Sequence, residues 1–201
     1  MNYIAHMGTQ TILALLAFGV VSSFTPGPNN LMLMASGANF GLRRTMPHLW
    51  GVVIGFSGMI VIVGLGLFGL FHAWPASFTV LKVGSTAYTL YLAWRIARAE
   101  APHEAGKRTR PMTFLQGAAF QWINPKAWTM GLSAITLYAP DASLPSILRI
   151  AGVFGAMGLA SATTWALMGI SIRGWLSSRA RLLLYNYSMA ALLVGSIGLA
   201  L

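Results

Sequence analysis

Six stretches of the chain stay apolar for about the length of a bilayer-spanning helix: Thr9 to Phe40, Pro47 to Phe71, Phe78 to Ala97, Thr113 to Ala139, Leu144 to Ile172 and Leu182 to Leu201. A span takes roughly 20 predominantly apolar residues. The pattern therefore predicts an all-α membrane protein of six transmembrane helices joined by short loops. Composition agrees: 56% of the 201 residues are hydrophobic and 8% are charged, with mean hydropathy +0.68. Soluble domains carry about a quarter charged residues, so the lipid bilayer is the expected solvent, and no room is left for a sizeable soluble domain.

The polar breaks between these stretches set the expected orientation. Arg43 and Arg44 follow the first span; Arg95, Arg98, Lys107, Arg108 and Arg110 follow the third; Arg173, Arg179 and Arg181 follow the fifth. Loops rich in Lys and Arg stay cytoplasmic, so both termini are expected outside the cytoplasm. The net charge of +10 then follows from membrane topology, and no nucleic-acid partner is implied, since the basic residues lie between apolar spans. A cleaved secretory signal is not expected, because a basic leading segment is missing and the first apolar run continues past any cleavage point. The chain has no Cys, which excludes disulfides, thiolate metal sites and dithiol redox transfer.

The longest charged stretch contains Pro102 and Gly106 and reads as a cytoplasmic linker over about 100–112. It divides a single transmembrane domain, 1–201, into halves of about 1–99 and 113–201. Each half holds an odd number of spans, so two halves sharing one fold must be inverted relative to each other, as in many secondary transporters.

Candidate chemistry sits where the first helix of each half breaks. Thr25-Pro26-Gly27-Pro28-Asn29-Asn30 interrupts the first span and Asn124-Pro125-Lys126 the fourth. A regular helix cannot pass through Pro26, Gly27 and Pro28, because proline removes a donor and clashes with the preceding turn. Backbone groups freed at membrane depth must be satisfied by neighbouring helices or line a wet cavity. Pro125 alone is equally consistent with a simple kink; the matching placement in the two halves is what points to a substrate site. Thr25, Asn29, Asn30 and Asn124 supply donors and acceptors there, while Pro26, Gly27, Pro28 and Pro125 hold the backbone open. Lys126 is the one formal charge deep in an apolar span. It would pair with a substrate carboxylate, release a proton on dehydration and so couple protons to the cycle, or bond the carbonyls freed by the opposite break.

His48, Trp122 and Trp128 are secondary candidates for cavity lining, each with ordinary interfacial or packing roles as the alternative. Trp50, Trp74, Trp94 and Trp175 fit the aromatic belt at span ends. The acidic residues, Glu100, Glu104 and Asp141, all fall outside the spans, so neither a metal site nor a buried carboxylate relay is expected, and no cofactor is implied. Gly51 with Gly55, Ala151 with Gly155, and Ala191 with Gly195 allow close helix approach, within one chain or between copies in a homo-oligomer.

In matching order along nearly the whole chain, these residues resemble the LysE/RhtB family of bacterial amino-acid exporters. The resemblance is carried by Thr25 to Asn30, Gly41-Leu42-Arg43-Arg44, Gly51 with Gly55, Leu81-Lys82-Val83-Gly84, Tyr88, Tyr91-Leu92-Ala93-Trp94-Arg95, Phe114-Leu115-Gln116-Gly117 and Asn124-Pro125-Lys126. The Pro-Gly-Pro-Asn-Asn form is most similar to the branch exporting cysteine and O-acetylserine; many relatives carry Asp where this chain has Asn29. The resemblance implies efflux of a small amino-acid substrate across the bacterial inner membrane by proton antiport. A membrane-embedded enzyme is the first alternative, but the chain offers no nucleophile with a base and no metal set at one depth. A structural subunit, the second, gives the paired breaks no purpose. The topology has a direct test: an epitope tag at Leu201 should react with an impermeant reagent from outside intact cells, and reaction only after permeabilisation would overturn it.

Overall fold

The structure, a computed structural model, describes residues 2–67, 75–98, 110–141 and 143–200. All regular structure among them is helical: α1 Asn2–Phe24, α2 Pro28–Ile62, α3 Pro75–Ala97, α4 Phe114–Phe120, α5 Pro125–Tyr138, α6 Leu144–Ile172 and α7 Arg179–Ala200. A wider-wound π turn, Val63–Leu67, extends α2. By length and hydropathy, Pro28–Gly66 and Leu144–Ile172 are sufficient to cross a membrane, and Gln10–Phe24 is a shorter apolar helix. Most of the expected linker lies outside the described residues.

Both predicted interruptions are present. Between α1 and α2, Gly27 is extended at φ −171°, ψ 177°, and Pro28 opens the next helix, where its missing N–H costs no intrahelical bond. The fourth span begins with a capping box: the Thr113 hydroxyl accepts from the Gln116 N–H, and the Gln116 side chain accepts from the Thr113 N–H. A single 3-10 turn over Gln121–Ile123 follows, and the extended Asn124 separates it from α5.

The sequence reading expected a loop between Phe40 and Pro47. In the structure, a single-residue kink does this work. Gly41 adopts φ 73°, ψ 170°, a conformation that residues with a Cβ avoid. The two segments of α2 fold against each other: Leu33 shares a buried cluster with Leu49, Val52 and Val53. Ser36 Oγ and Thr45 Oγ1 are 2.9 Å apart across the kink. Pro47 consequently lies inside α2 and does not start a helix.

The packing follows a reciprocal scheme. The second segment of α2 lies on α4, where a methyl at Gly51 would sit 2.2 Å from the Phe114 carbonyl oxygen and one at Gly55 2.5 Å from Ala118 Cα. Helix α6 lies against α1, with Gly19 facing Val153 and Met157. The first segment of α2 meets α6 backbone to backbone, through Gly37 on Ala166 and Gly169 on Met34. Correspondingly, α5 meets the second segment of α2, with Gly131 facing Phe56 and Ile60. Helices α3 and α7 pack together through Ala93 and Leu193. Their outer faces expose Val80, Val83, Leu184 and Tyr187, as a hydrocarbon solvent permits.

The tightest of these approaches gives a stability prediction. A methyl at Gly169 would lie 1.9 Å from the Met34 carbonyl oxygen, whereas one at Gly152 would meet nothing within 4 Å. Overpacking of this kind costs about 1–3 kcal/mol or more. Gly169→Ala should lower the unfolding midpoint in detergent markedly while Gly152→Ala leaves it unchanged; equal midpoints would contradict the close approach.

Candidate functional site

The two breaks meet. Lys126, at the start of α5, donates its Nζ to the Thr25 carbonyl oxygen at the end of α1. Beside it, Asn29 and Gln121 exchange hydrogen bonds: Asn29 Nδ2 donates to Gln121 Oε1 at 2.8 Å, and Gln121 Nε2 donates to Asn29 Oδ1 at 3.1 Å. The two breaks are thus joined by three side-chain bonds where the backbone unwinds.

Two carbonyls at the end of α1, those of Ser23 and Thr25, are engaged by side chains. Asn30 Nδ2 donates to Ser23 O at 2.8 Å and to Thr25 O at 2.9 Å. Ser161, reaching across from α6, donates to Ser23 O at 2.7 Å. Asn124 caps α5, its side-chain oxygen accepting from the Lys126 N–H at 3.2 Å. This network makes the break self-consistent in an apolar surrounding, where an unpaired backbone group would cost several kcal/mol.

A pocket with about 510 Å³ of empty space opens on this network. Asn29, Asn30, Asn124 and Lys126 line it on the polar side, with Ser161 from α6. Opposite lie Phe56 and Phe154, whose rings meet edge to face at 5.5 Å. Helices α2 and α5 both begin at the pocket, so the partially positive ends of two helix dipoles and one ammonium group meet there. Such a site favours an anionic group such as a carboxylate, with neutral amides left to orient the rest of a ligand and an aromatic wall to exclude water. A methyl at Gly27 would lie 2.6 Å from Lys126 Cδ, so the lysine side chain would have to shift to admit one.

Of the remaining sequence candidates, Thr25 contributes its carbonyl, since its hydroxyl donates one turn back to Val21 O. Pro28 and Pro125 occupy the first positions of α2 and α5, and Pro26 lies in the unwound stretch. Trp122 and Trp128 pack edge to face at 5.9 Å, and Trp128 Nε1 donates to Trp122 O at 2.9 Å; neither ring lines the pocket. His48 lines a second hollow instead. Sequence reasoning passed over Gln121 and Ser161. Both were visible as polar residues inside apolar spans, and Gln121 stands three positions before Asn124. Among the described residues no three acidic or histidine side chains gather as a metal site.

Comparison with known proteins identifies the family. The profile of the family described as LysE type translocator matches residues 20–201. A cysteine/O-acetylserine efflux protein of Klebsiella pneumoniae is 29% identical over 190 residues, which cover 94% of this chain and 95% of the relative. One from Escherichia coli K12 is 28% identical over 164 residues, covering 80% and 84%. No solved structure matches the chain.

The amide pair can be measured by a double-mutant cycle. Removing one partner leaves an amide oxygen of the other without its bond, at about 1–3 kcal/mol, whereas removing both is far milder. Asn29→Leu and Gln121→Leu should each lower stability in SDS titrations, and the double variant should lose clearly less than their sum. Strict additivity would show that the pair is not coupled.

Proposed function

Since the chain belongs to the LysE type translocator family, we propose that it exports a small amino acid or amino-acid derivative from the bacterial cytoplasm by alternating access, with protons as the coupling ion. Its relatives are named for efflux of cysteine and O-acetylserine, and the charges of a small zwitterion suit the polar groups that line the pocket. The single observation that carries the reading is the meeting of two helix breaks and Lys126 at one pocket.

In this reading the substrate carboxylate replaces the Thr25 carbonyl as the acceptor for Lys126. A charge-assisted bond to a carboxylate is roughly twice as strong as one to a neutral acceptor. Substrate binding therefore loosens a tie between the two halves as it satisfies the ammonium. Asn29, Asn30 and Asn124 address the substrate's other polar groups, and Phe56 and Phe154 close off its apolar side. Because Asn29 carries no titratable proton, Lys126 is left as the ionisable side chain lining this pocket and the candidate for proton coupling.

The reciprocal packing of α2, α4, α5 and α6 with α1 supports an inverted arrangement of two three-helix halves. Such an arrangement provides two related conformations, one open to each side. With the arginine-rich loops inside, the unwound segments lie near the middle of the inner membrane and both termini outside the cytoplasm.

Counterflow in proteoliposomes against a panel of amino acids, with and without a pH gradient, tests the reading. Wild-type protein should exchange at least one small neutral amino acid or O-acetylserine, faster with the gradient. Lys126→Met should reduce exchange at least ~10-fold, since hydrogen bonds to charged groups contribute about 1.5–3 kcal/mol, while expression and folding persist. A fully active Lys126→Met protein would remove Lys126 from the site; silence across the whole panel would sink the exporter reading.

A further inference from the structure

Among the described residues, the only buried side-chain polar atoms without a hydrogen-bond partner are Asn39 Oδ1 and the two ring nitrogens of His48. Both side chains line one hollow of about 450 Å³, together with Arg110. His48 is 1% exposed, and its ring is held against α4, where a methyl at Gly117 would come within 3.3 Å of His48 Cδ2. Nearby polar groups do not relieve the orphans. Asn39 Nδ2 donates to Ala35 O at 2.8 Å, and Ser36 Oγ pairs with Thr45 Oγ1 at 2.9 Å. Buried groups left unpaired are destabilising; the three orphan atoms have almost no exposed surface of their own, so a ligand in the adjoining hollow would meet them on a small turn of the two side chains.

The chemistry of the hollow names the ligand. Arg110 offers a guanidinium, which accepts a carboxylate in a bidentate fashion. A neutral imidazole offers one N–H donor and one acceptor nitrogen. Asn39 Oδ1 adds a second acceptor, and among the described residues no carboxylate lines the space. A donor and a cation on one side, with two acceptors for an ammonium group, complement an α-amino-acid zwitterion. The placement is equally specific. The first segment of α2 gives Asn29 and Asn30 to the central pocket and Ser36 and Asn39 to this hollow, and His48 lies one turn from Val52, which lines the central pocket.

We propose that Asn39, His48 and Arg110 form a second binding station for the transported zwitterion, on the arginine-rich side of the central pocket, where the substrate is held before it passes to Lys126. The proposal rests on the exporter reading, and the experiment separates the two. Full-length protein in nanodiscs is titrated by calorimetry with O-acetyl-L-serine, L-cysteine and a panel of neutral and basic amino acids. Two molecules of the recognised amino acid should bind per chain. Arg110→Gln, at an exposed position where folding is not at stake, should weaken one site about 10-fold or more and leave the other unchanged. Asn39→Leu should do the same, and Lys126→Met should affect only the other site. One molecule bound per chain, lost in Lys126→Met and indifferent to Arg110→Gln and Asn39→Leu, would overturn the second station and keep the exporter. Absence of binding across the panel would overturn both.

Discussion

Backbone amides and carbonyls released inside a bilayer have no water to bond, so a helix can open there only where other protein groups are already in place to receive them. At the end of α1, side chains from three other places meet this condition for the Ser23 and Thr25 carbonyls. Asn30 reaches back from α2, Ser161 comes from α6, and Lys126 comes from the start of α5. Each donor sits on an element that must be folded before the break is tolerable. The break and the tertiary structure are therefore one cooperative unit, and the polar lining of the pocket is the inner surface of that unit.

A second constraint makes the first workable. Side chains as short as those of Asn29 and Gln121 exchange hydrogen bonds across halves only if the helices carrying them come very close. Glycine at 37, 51, 55, 117 and 169 removes the Cβ that would hold backbones apart. Close approach without a hydrophobic driving force is the usual mode of helix association in lipid. Close packing and polar satisfaction are here the same geometric requirement, and both converge around the central pocket.

The opposing walls of that pocket divide the work. The polar wall, built from unwound backbone ends and amides, is ready for a charged or zwitterionic ligand. The wall made by Phe56 and Phe154 limits water and ligand size. Asn29 and Lys126, which tie the two breaks together, also face the pocket, so under the proposed function a ligand that competes for Lys126 would act on the contact between the breaks.

Much of this was legible in the chain itself. Proline cannot donate and clashes with the preceding helical turn, so Pro26 and Pro28 with Gly27 between them, and Pro125, marked where helices would open, although Pro47 is carried within α2. Apolar run length located α6 residue for residue, Leu144 to Ile172, because a helix in lipid must be apolar for its full depth. What local pattern could not convey was which distant groups meet. That Gln121 pairs with Asn29, 92 positions away, and that Ser161 caps a carbonyl 138 positions away depends on helix packing and on no feature of either neighbourhood. The turn at Gly41 was hidden for a related reason: glycine permits a positive φ without requiring it, and only the packing of Leu33 against the Leu49 segment selects it. Sequence determined where the backbone must be irregular, since that is a property of single residues; tertiary structure decided what satisfies it, since hydrogen bonds between helices are properties of pairs.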